Sequence, residues 1–323
     1  MYHNNLLAVF FALLSALTIA WGTVIRHRVA ENTAEGVVPI MAAIRSGWWW
    51  AGLFGAMAGY GLQIIALRFG TLLIVQPILV LSLMFTLPLS SWMNGRRISK
   101  AETAWAGFLT AAVSVIIILG RPAAAETNPS DVVWWSSFCV GTVAISALYL
   151  WARRQSRHTR ALIFGSLTGA IMGYLALMSK TVVDIWSTEG PRYLVSSWEL
   201  YMLLFLAATG TAVQQASFNA GDLKNSLPAM TIVEPLIAFS LGYVVLGEHF
   251  QVNSTEGWGV MLAAMTVMIG STVALSRLGV EAHTVEAHAN EAHANELSEQ
   301  QEPQQLTAQQ QLDQPGNTTR KIP

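Results

Sequence analysis

Long apolar stretches alternate with short polar ones along the first 278 residues of the chain. Nine stretches approach the roughly 20 apolar residues that an α-helix needs to cross a bilayer. None of them alternates apolar and polar residues in the way of a membrane β-strand. Because backbone N–H and C=O groups in lipid must be paired within the segment, the pattern predicts an all-α integral membrane protein with nine spans. The predicted spans are residues 6–25, 48–67, 72–92, 104–119, 132–151, 161–186, 198–218, 226–246 and 258–275.

Composition agrees with a membrane protein. The chain is 53% hydrophobic and 11% charged, whereas a soluble domain carries about 25% charged residues. Its formal net charge of −1 gives no reason to expect a nucleic-acid partner. No Gly-x-x-x-x-Gly-Lys phosphate loop is present, which argues against an ATP-driven pump. Cys139 is the only cysteine, so no intrachain disulfide can form.

The charges between the spans predict the orientation. Twelve Lys and Arg residues lie in the loops after odd-numbered spans or directly after the last span, and three follow even-numbered spans. Since cytoplasmic loops are enriched in basic residues, we predict the N-terminus outside and the C-terminus in the cytoplasm. Arg26 and Arg28 come after the first apolar stretch, and no basic residue precedes it. That order favours an uncleaved helix over a signal peptide.

Tryptophan residues concentrate at predicted span ends, as expected for anchors at the membrane–water interface. These are Trp48, Trp49, Trp50, Trp92, Trp134, Trp135, Trp151, Trp186, Trp198 and Trp258. Residues 37–44 form another apolar stretch, which is too short to span. We interpret it as an interfacial or re-entrant piece. If it joined a neighbour, the resulting tenth helix would move the N-terminus inside.

The chain becomes polar after Arg277. Residues 281–296 repeat Glu-Ala-His every five residues, and a Gln-rich run follows. This composition predicts a disordered cytoplasmic tail over residues 279–323. A metal site at the histidines is the alternative, although steps of five residues put them on different faces of a helix. The histidines concerned are His283, His288 and His293.

Two parts of the chain resemble each other. Residues 74–77 read Ile-Val-Gln-Pro, and residues 232–235 read Ile-Val-Glu-Pro. A glutamine lies seven residues before a glycine ahead of each block, Gln63 before Gly70 and Gln214 before Gly221. The loop charges make the two units run in opposite directions. Inverted repeats with proline-interrupted helices point to a secondary transporter.

The repeat divides the chain into a first transmembrane unit of four helices at residues 1–120 and a second of five helices at 121–278. We predict that Pro77 and Pro235 break their helices, because proline removes a backbone donor and clashes with the preceding turn. The carbonyl groups freed near residues 73 and 231 would then be available to a ligand.

Glu234 is the strongest candidate for a functional residue. It lies ten residues after Lys224 and fourteen before Glu248, which places it about 15 Å and 21 Å from the two ends of its span. An acid at that depth costs roughly 2.5–3.5 kcal/mol, so it needs a partner, a cavity or a proton. A protonated glutamate bonded to a neighbouring helix is the structural alternative.

Other candidates surround this residue. Gln76, Gln63, Gln214 and the pair Lys180 and Asp184, four residues apart on one face, would line the site. Lys180 would alternatively lie near the outer interface. Small residues at four-residue spacing predict close helix packing and no ligation. They are Gly55, Gly59, Gly165, Gly169 and Gly173.

The order of blocks resembles the NIPA-like transporters of the drug/metabolite transporter superfamily, which also contains EamA-type members. The resemblance covers roughly residues 5–276. The blocks are Trp48 to Gly52, Gly59, Ala66 to Pro77, Ser179-Lys180, Gln214, Phe218-Asn219, Glu234-Pro235 and Leu246 to Glu248. The resemblance implies two inverted helix bundles around a cavity, with nine helices, and the first bundle then lacks one helix where residues 37–44 stand.

These observations lead to a hypothesis of a secondary transporter in the cell membrane. It would carry a small polar solute or cation by alternating access, coupled to protons through Glu234. The resemblance implies Mg²⁺ or another divalent cation as an alternative, although no metal ligand set is identifiable. A non-transporting assembly or scaffold protein is the second alternative. Neither enzyme activity nor a cofactor is expected, and a homodimer is left open.

Overall fold

The computed structural model describes residues 4–31, 47–93, 98–124, 130–220 and 223–279. The helices in these ranges are α1 (Asn5–Glu31), α2 (Gly47–Phe69), α3 (Leu72–Val80), α4 (Ser82–Met93), α5 (Lys100–Gly120), α6 (Asp131–Ala152), α7 (Arg157–Thr188), α8 (Pro191–Ser196), α9 (Trp198–Ala220), α10 (Leu223–Val244) and α11 (Thr255–Gly279). The predicted segment 37–44 and the histidine-rich repeats of the predicted tail lie outside the described residues.

Among the described residues, seven helical segments are long and apolar enough to cross a membrane. They are α1, α2, α3 with α4, α5, α6, α7 and α11. These helices fit an all-α, multi-pass membrane protein, as the hydrophobic pattern predicts. The two other predicted spans coincide with α9 and α10, but α9 is not among the seven and the apolar part of α10 is the shorter Pro228–Val244. The count of nine spans therefore stays a prediction, as does the orientation.

The prediction of helix breaks at the two prolines was wrong. Pro77 lies inside α3 and Pro235 lies inside α10, and both helices continue past them. A proline removes one hydrogen bond, and neighbouring turns in a packed bundle keep the helix intact. The predicted span 72–92 instead divides at Leu81, whose N–H bonds to Ile78 O at 3.0 Å. This bond to the third preceding residue tightens the last turn of α3 before α4 begins.

Glycines bring α1 and α2 into close contact. A Cβ atom at Gly22 would lie 2.7 Å from Gly52 O, and one at Gly59 would lie 3.2 Å from Ile19 N. Gly22 meets Gly52, and the earlier residue Ile19 meets the later residue Gly59, so the two helices are antiparallel. Helix α1 also packs against α3 and α4. The predicted packing role of Gly59 is confirmed, and Gly55 lies against the Trp21 ring of α1.

Helix α7 is the centre of the second half. It packs against α6, α9 and α10, and also reaches α2. Its Gly165, Gly169 and Gly173 lie in turn against Ser226, Met230 and Ile237 of α10. Residue numbers rise together on both helices, so α7 and α10 are parallel. The predicted packing role of these three glycines is confirmed.

We expect Gly169→Ala to lower the thermal unfolding midpoint of the purified protein, because the new Cβ would meet Met230 O at 2.7 Å and Glu234 N at 3.0 Å. Overpacking of this kind costs about 1–3 kcal/mol. The matched control is Gly270→Ala in α11, where a Cβ atom meets nothing within 4 Å. Equal midpoints for the two variants would contradict the packing that we describe.

Candidate functional site

Glu234 lies at the middle of α10, eleven residues after Leu223 and ten before Val244. Its backbone N–H side faces Gly169 of α7, where the absence of a side chain lets the two helices approach. The side chain is half-buried. Within the described residues, the carboxylate has neither a hydrogen bond nor an ion pair. Glu234 is therefore a half-buried acid next to Pro235 that has no partner among the described residues.

The structure brings Gln214 close to this acid. Gln214 of α9 donates its Nε2 to Met230 Sδ at 3.3 Å. Met230 precedes Glu234 by four residues, so both lie on the same face of α10. Helices α9 and α10 thus place the amide of Gln214 about one helical turn along α10 from Glu234, and both residues are half-buried.

The two glutamines of the first half are buried. Gln63 on α2 is 8% exposed and Gln76 on α3 is 2% exposed. The Nε2 atom of Gln76 has no hydrogen-bond partner in the part of the chain that the structure describes. Helix α3 packs against α10, and its Leu72 lies against Gly242. A buried amide without a partner is unfavourable by about 1–3 kcal/mol, so Gln76 has an unused capacity to bind.

Lys180 and Asp184 lie elsewhere than predicted. Their ion pair is confirmed, with Lys180 Nζ 3.0 Å from Asp184 Oδ1. However, Lys180 is eleven residues beyond Gly169 on α7, which is about 16 Å along the axis from the level of Glu234. The structure therefore separates this pair from Glu234. Lys180 is buried within the protein, at 3% exposed, and its predicted position near the outer interface stays a prediction.

Lys180 caps the end of α2. Its Nζ donates to Leu67 O at 2.7 Å. The last carbonyl groups of an α-helix have no partner within the helix and carry a partial negative charge, so a cation stabilises them. The lysine thus holds the C-terminus of α2 to α7, where Gly70 and Thr71 separate α2 from α3.

Glu248 caps the start of α3 from the other side. Its Oε1 accepts from Leu72 N at 2.9 Å, and its Oε2 accepts from Leu73 N at 3.0 Å. The N-cap residue Thr71 makes no side-chain capping bond. A carboxylate from a distant segment therefore replaces the usual N-cap side chain and meets the positive end of the helix dipole.

The segment after α10 fixes Glu248 in place. Gly247 has φ of +67°, a conformation that residues with side chains rarely adopt, and it turns the chain back. Glu248 N then bonds to Gly242 O at 2.9 Å, and His249 pairs with Ala123 through two backbone bonds. Backbone bonds on either side of the glutamate thus hold the segment against α10 and the end of α5.

Burial dominates the titration of Glu248, which lies between the spans α10 and α11. Removal from water raises the pKa of this 2% exposed carboxyl to about 7. The N–H groups of Leu72 and Leu73 and the charge of Lys180 oppose the shift and lower the pKa, whereas the charge of Asp184 raises it. The carboxyl group of Glu248 thus binds a proton more tightly in the folded protein than it would when exposed to water.

Sequence reasoning missed the role of Glu248, which it used to mark a span end and as part of a resemblance block. The available signal was an acid directly after Gly247, a few residues past the end of α10. Its partners are backbone N–H groups 175 and 176 residues away, and no local pattern specifies them. Within the described residues, no group of three or more His, Cys, Asp or Glu side chains is placed to hold a metal ion.

Comparison with known proteins gives one informative match. An uncharacterized protein of Corynebacterium glutamicum is 52% identical over 278 residues, which cover 85% of this chain and 96% of that protein. This chain belongs to the same family. No family model matches the sequence, and no solved structure matches it either.

We expect Gln76→Met to raise the unfolding midpoint, because methionine fills a similar volume without a buried, unpaired amide. The gain would be about 1–3 kcal/mol. Leu79→Met, on the same helix, controls for the introduction of a methionine and should change the midpoint little. A lower midpoint for Gln76→Met would mean that the amide has a partner that stabilises the fold.

We expect the unfolding midpoint to fall between pH 5 and pH 8, in part through Glu248. Its folded-state pKa of about 7 exceeds the ordinary value of 4.5. The contribution of Glu248 to the free energy of unfolding is therefore complete below about pH 4.5. It is lost as the pH rises through about 7, and the loss is up to about 3 kcal/mol. Glu248→Gln should flatten this dependence, and Glu256→Gln, at an exposed position, should not. An equally steep fall in Glu248→Gln would contradict the assignment.

Proposed function

We propose that this chain is a secondary transporter of the cell membrane that carries a small polar solute or cation by alternating access, with Glu234 as the coupling group. The observation that carries the proposal is which charged residues in the bundle have hydrogen-bond partners. The buried charges Glu102, Lys180 and Glu248 all have hydrogen-bond partners. The carboxylate of Glu234 has none among the described residues.

An unpaired carboxylate between helices is energetically unfavourable. In a membrane span an acid costs roughly 2.5–3.5 kcal/mol, and helices α7 and α10 enclose the backbone of Glu234. A proton, a cation or a polar solute would supply the missing partner. Binding one of these and then exchanging it for another is the chemistry of a coupled carrier.

The packing of the two halves supports the inverted repeat. In the first half, α1 packs against the glutamine-bearing α2 and the proline-bearing α3. In the second half, α7 packs in the same way against the glutamine-bearing α9 and the proline-bearing α10. In this arrangement α5 corresponds to α11, and α6 has no counterpart. The proposal includes nine spans, four and five, and the family resemblance to the drug/metabolite transporters.

The residues have distinct roles in the proposed mechanism. Glu234 releases its proton when substrate binds and regains it after release on the other side. Gln214 of α9, which contacts Met230 one turn before Glu234 on α10, orients the substrate. Gln76 and Gln63 contribute amide groups from the first half, and the unpaired Nε2 of Gln76 would donate to the bound solute. Lys180 does not belong to this set, because its Nζ already donates to Leu67 O and Asp184.

A divalent cation is the second candidate substrate. The donor set of one carboxylate and three amide side chains offers oxygen atoms, which are the ligands that Mg²⁺ prefers. With a single carboxylate, the cation would keep several of its water molecules. Proton-coupled exchange and cation transport both require Glu234, so one variant tests both.

We expect Glu234→Gln to reduce transport at least tenfold, because a neutral amide cannot release a proton. A thermal-stabilisation screen of metal ions and metabolites at several pH values identifies the solute, with Mg²⁺ as the first probe. Uptake of that solute into proteoliposomes is then measured together with the internal pH, reported by a trapped dye. Glu256→Gln, which neutralises an exposed acid in α11, is the matched control. Wild-type uptake by Glu234→Gln would reject the proposal.

A further inference from the structure

The break between α2 and α3 is closed by side chains of the second half of the chain. Lys180 of α7 binds the carbonyl end of α2 at Leu67, and Glu248 binds the N–H groups that begin α3. Both residues are at most 3% exposed. We call Lys180, Glu248 and the Leu67–Leu73 turn the charged clasp.

The clasp joins the two halves through charged side chains. The signs match the two helix ends, with a cation at the negative end of α2 and an anion at the positive end of α3. Each partner is also secured on its own side. Asp184 accepts from Lys180 at 3.0 Å, and the backbone of Glu248 is bonded to Gly242.

The segment that the clasp holds carries a proposed binding residue. Helix α3 is nine residues long, begins at the clasp and ends at Leu81, where the chain departs from regular α-helix. Gln76 lies one turn from the clasped end. Fixing Leu72 and Leu73 therefore fixes the depth and rotation of Gln76 in the bundle.

We infer that Lys180 and Glu248 are positioning residues that hold this end of the bundle closed, and that their release lets α3 move and admits water to the α2–α3 turn. The significance of this opening for transport rests on the proposed function, whereas the opening itself does not. Asp184 and Lys180 are the charged groups that act on Glu248 from α7.

Thr71 offers a probe inside the clasp. It is 1% exposed, and its Oγ1 has no hydrogen-bond partner in the described structure. Thr71→Cys therefore removes no bond and buries a thiol at the turn. The native thiol is first removed by Cys139→Ala. A second reporter, Gln251→Cys at an exposed position, gives the reaction rate of an open thiol under the same conditions.

The experiment measures the rate at which a charged thiosulfonate reagent modifies Thr71→Cys in purified, detergent-solubilised protein at one pH. We expect slow modification in the parent protein. Glu248→Ala and Lys180→Met should each speed it at least tenfold, because they leave the helix ends at Leu72 and Leu67 unpaired. Glu256→Ala, which removes an exposed acid, should leave the rate unchanged. No substrate is needed, so the result is independent of whether transport is found.

Global destabilisation is excluded by a matched comparison. Gly169→Ala disturbs the α7–α10 contact away from the clasp and is expected to lower the unfolding midpoint. If the inference is correct, modification stays slow in Gly169→Ala although its midpoint falls. Rates that change less than twofold in Glu248→Ala and Lys180→Met overturn the inference, and so does equal acceleration in Gly169→Ala. If Glu248→Ala does not fold, Lys180→Met alone decides between these outcomes.

Discussion

The pairing of buried charge with helix ends is the interaction on which the arrangement of the first half depends. Helices α2 and α3 meet after only two intervening residues, and their free N–H and C=O groups lie within the bundle, away from water. Unpaired groups of this kind are costly in a low-dielectric interior. Lys180 and Glu248 pair them. The same requirement makes Glu234 conspicuous, since its environment provides no partner from the described residues.

Much of the helical architecture could be predicted, because helices in lipid are specified by local composition. Length and apolarity place α1, α2, α5, α6, α7 and α11 close to their predicted positions. Small residues every four positions also predict the faces that make contact, as Gly165, Gly169 and Gly173 demonstrate. What composition cannot predict is where a helix divides. The break at Leu81 and the continuity of α10 through Pro235 depend on tertiary packing.

The site was predictable only in part, for the same physical reason. A glutamate in the middle of an apolar span is visible in any sequence, and Glu234 lies where that observation puts it. Lys180 looked like a member of the same site because a sequence gives no axial distance between residues on different helices. Glu248 was overlooked because its partners are backbone groups, which every residue possesses. Side chains that bind backbone leave little trace in a pattern of residue types.

The division of the span after Val80 has a mechanical consequence. Helix α3 is a rod of nine residues, about 14 Å long, or roughly half the thickness of a bilayer's hydrocarbon core. Such a short rod is joined to α4 through Leu81, and all of its residues except Leu79 are buried within the protein. A motion confined to α3 would therefore leave the outer contour of the protein in the bilayer almost unchanged.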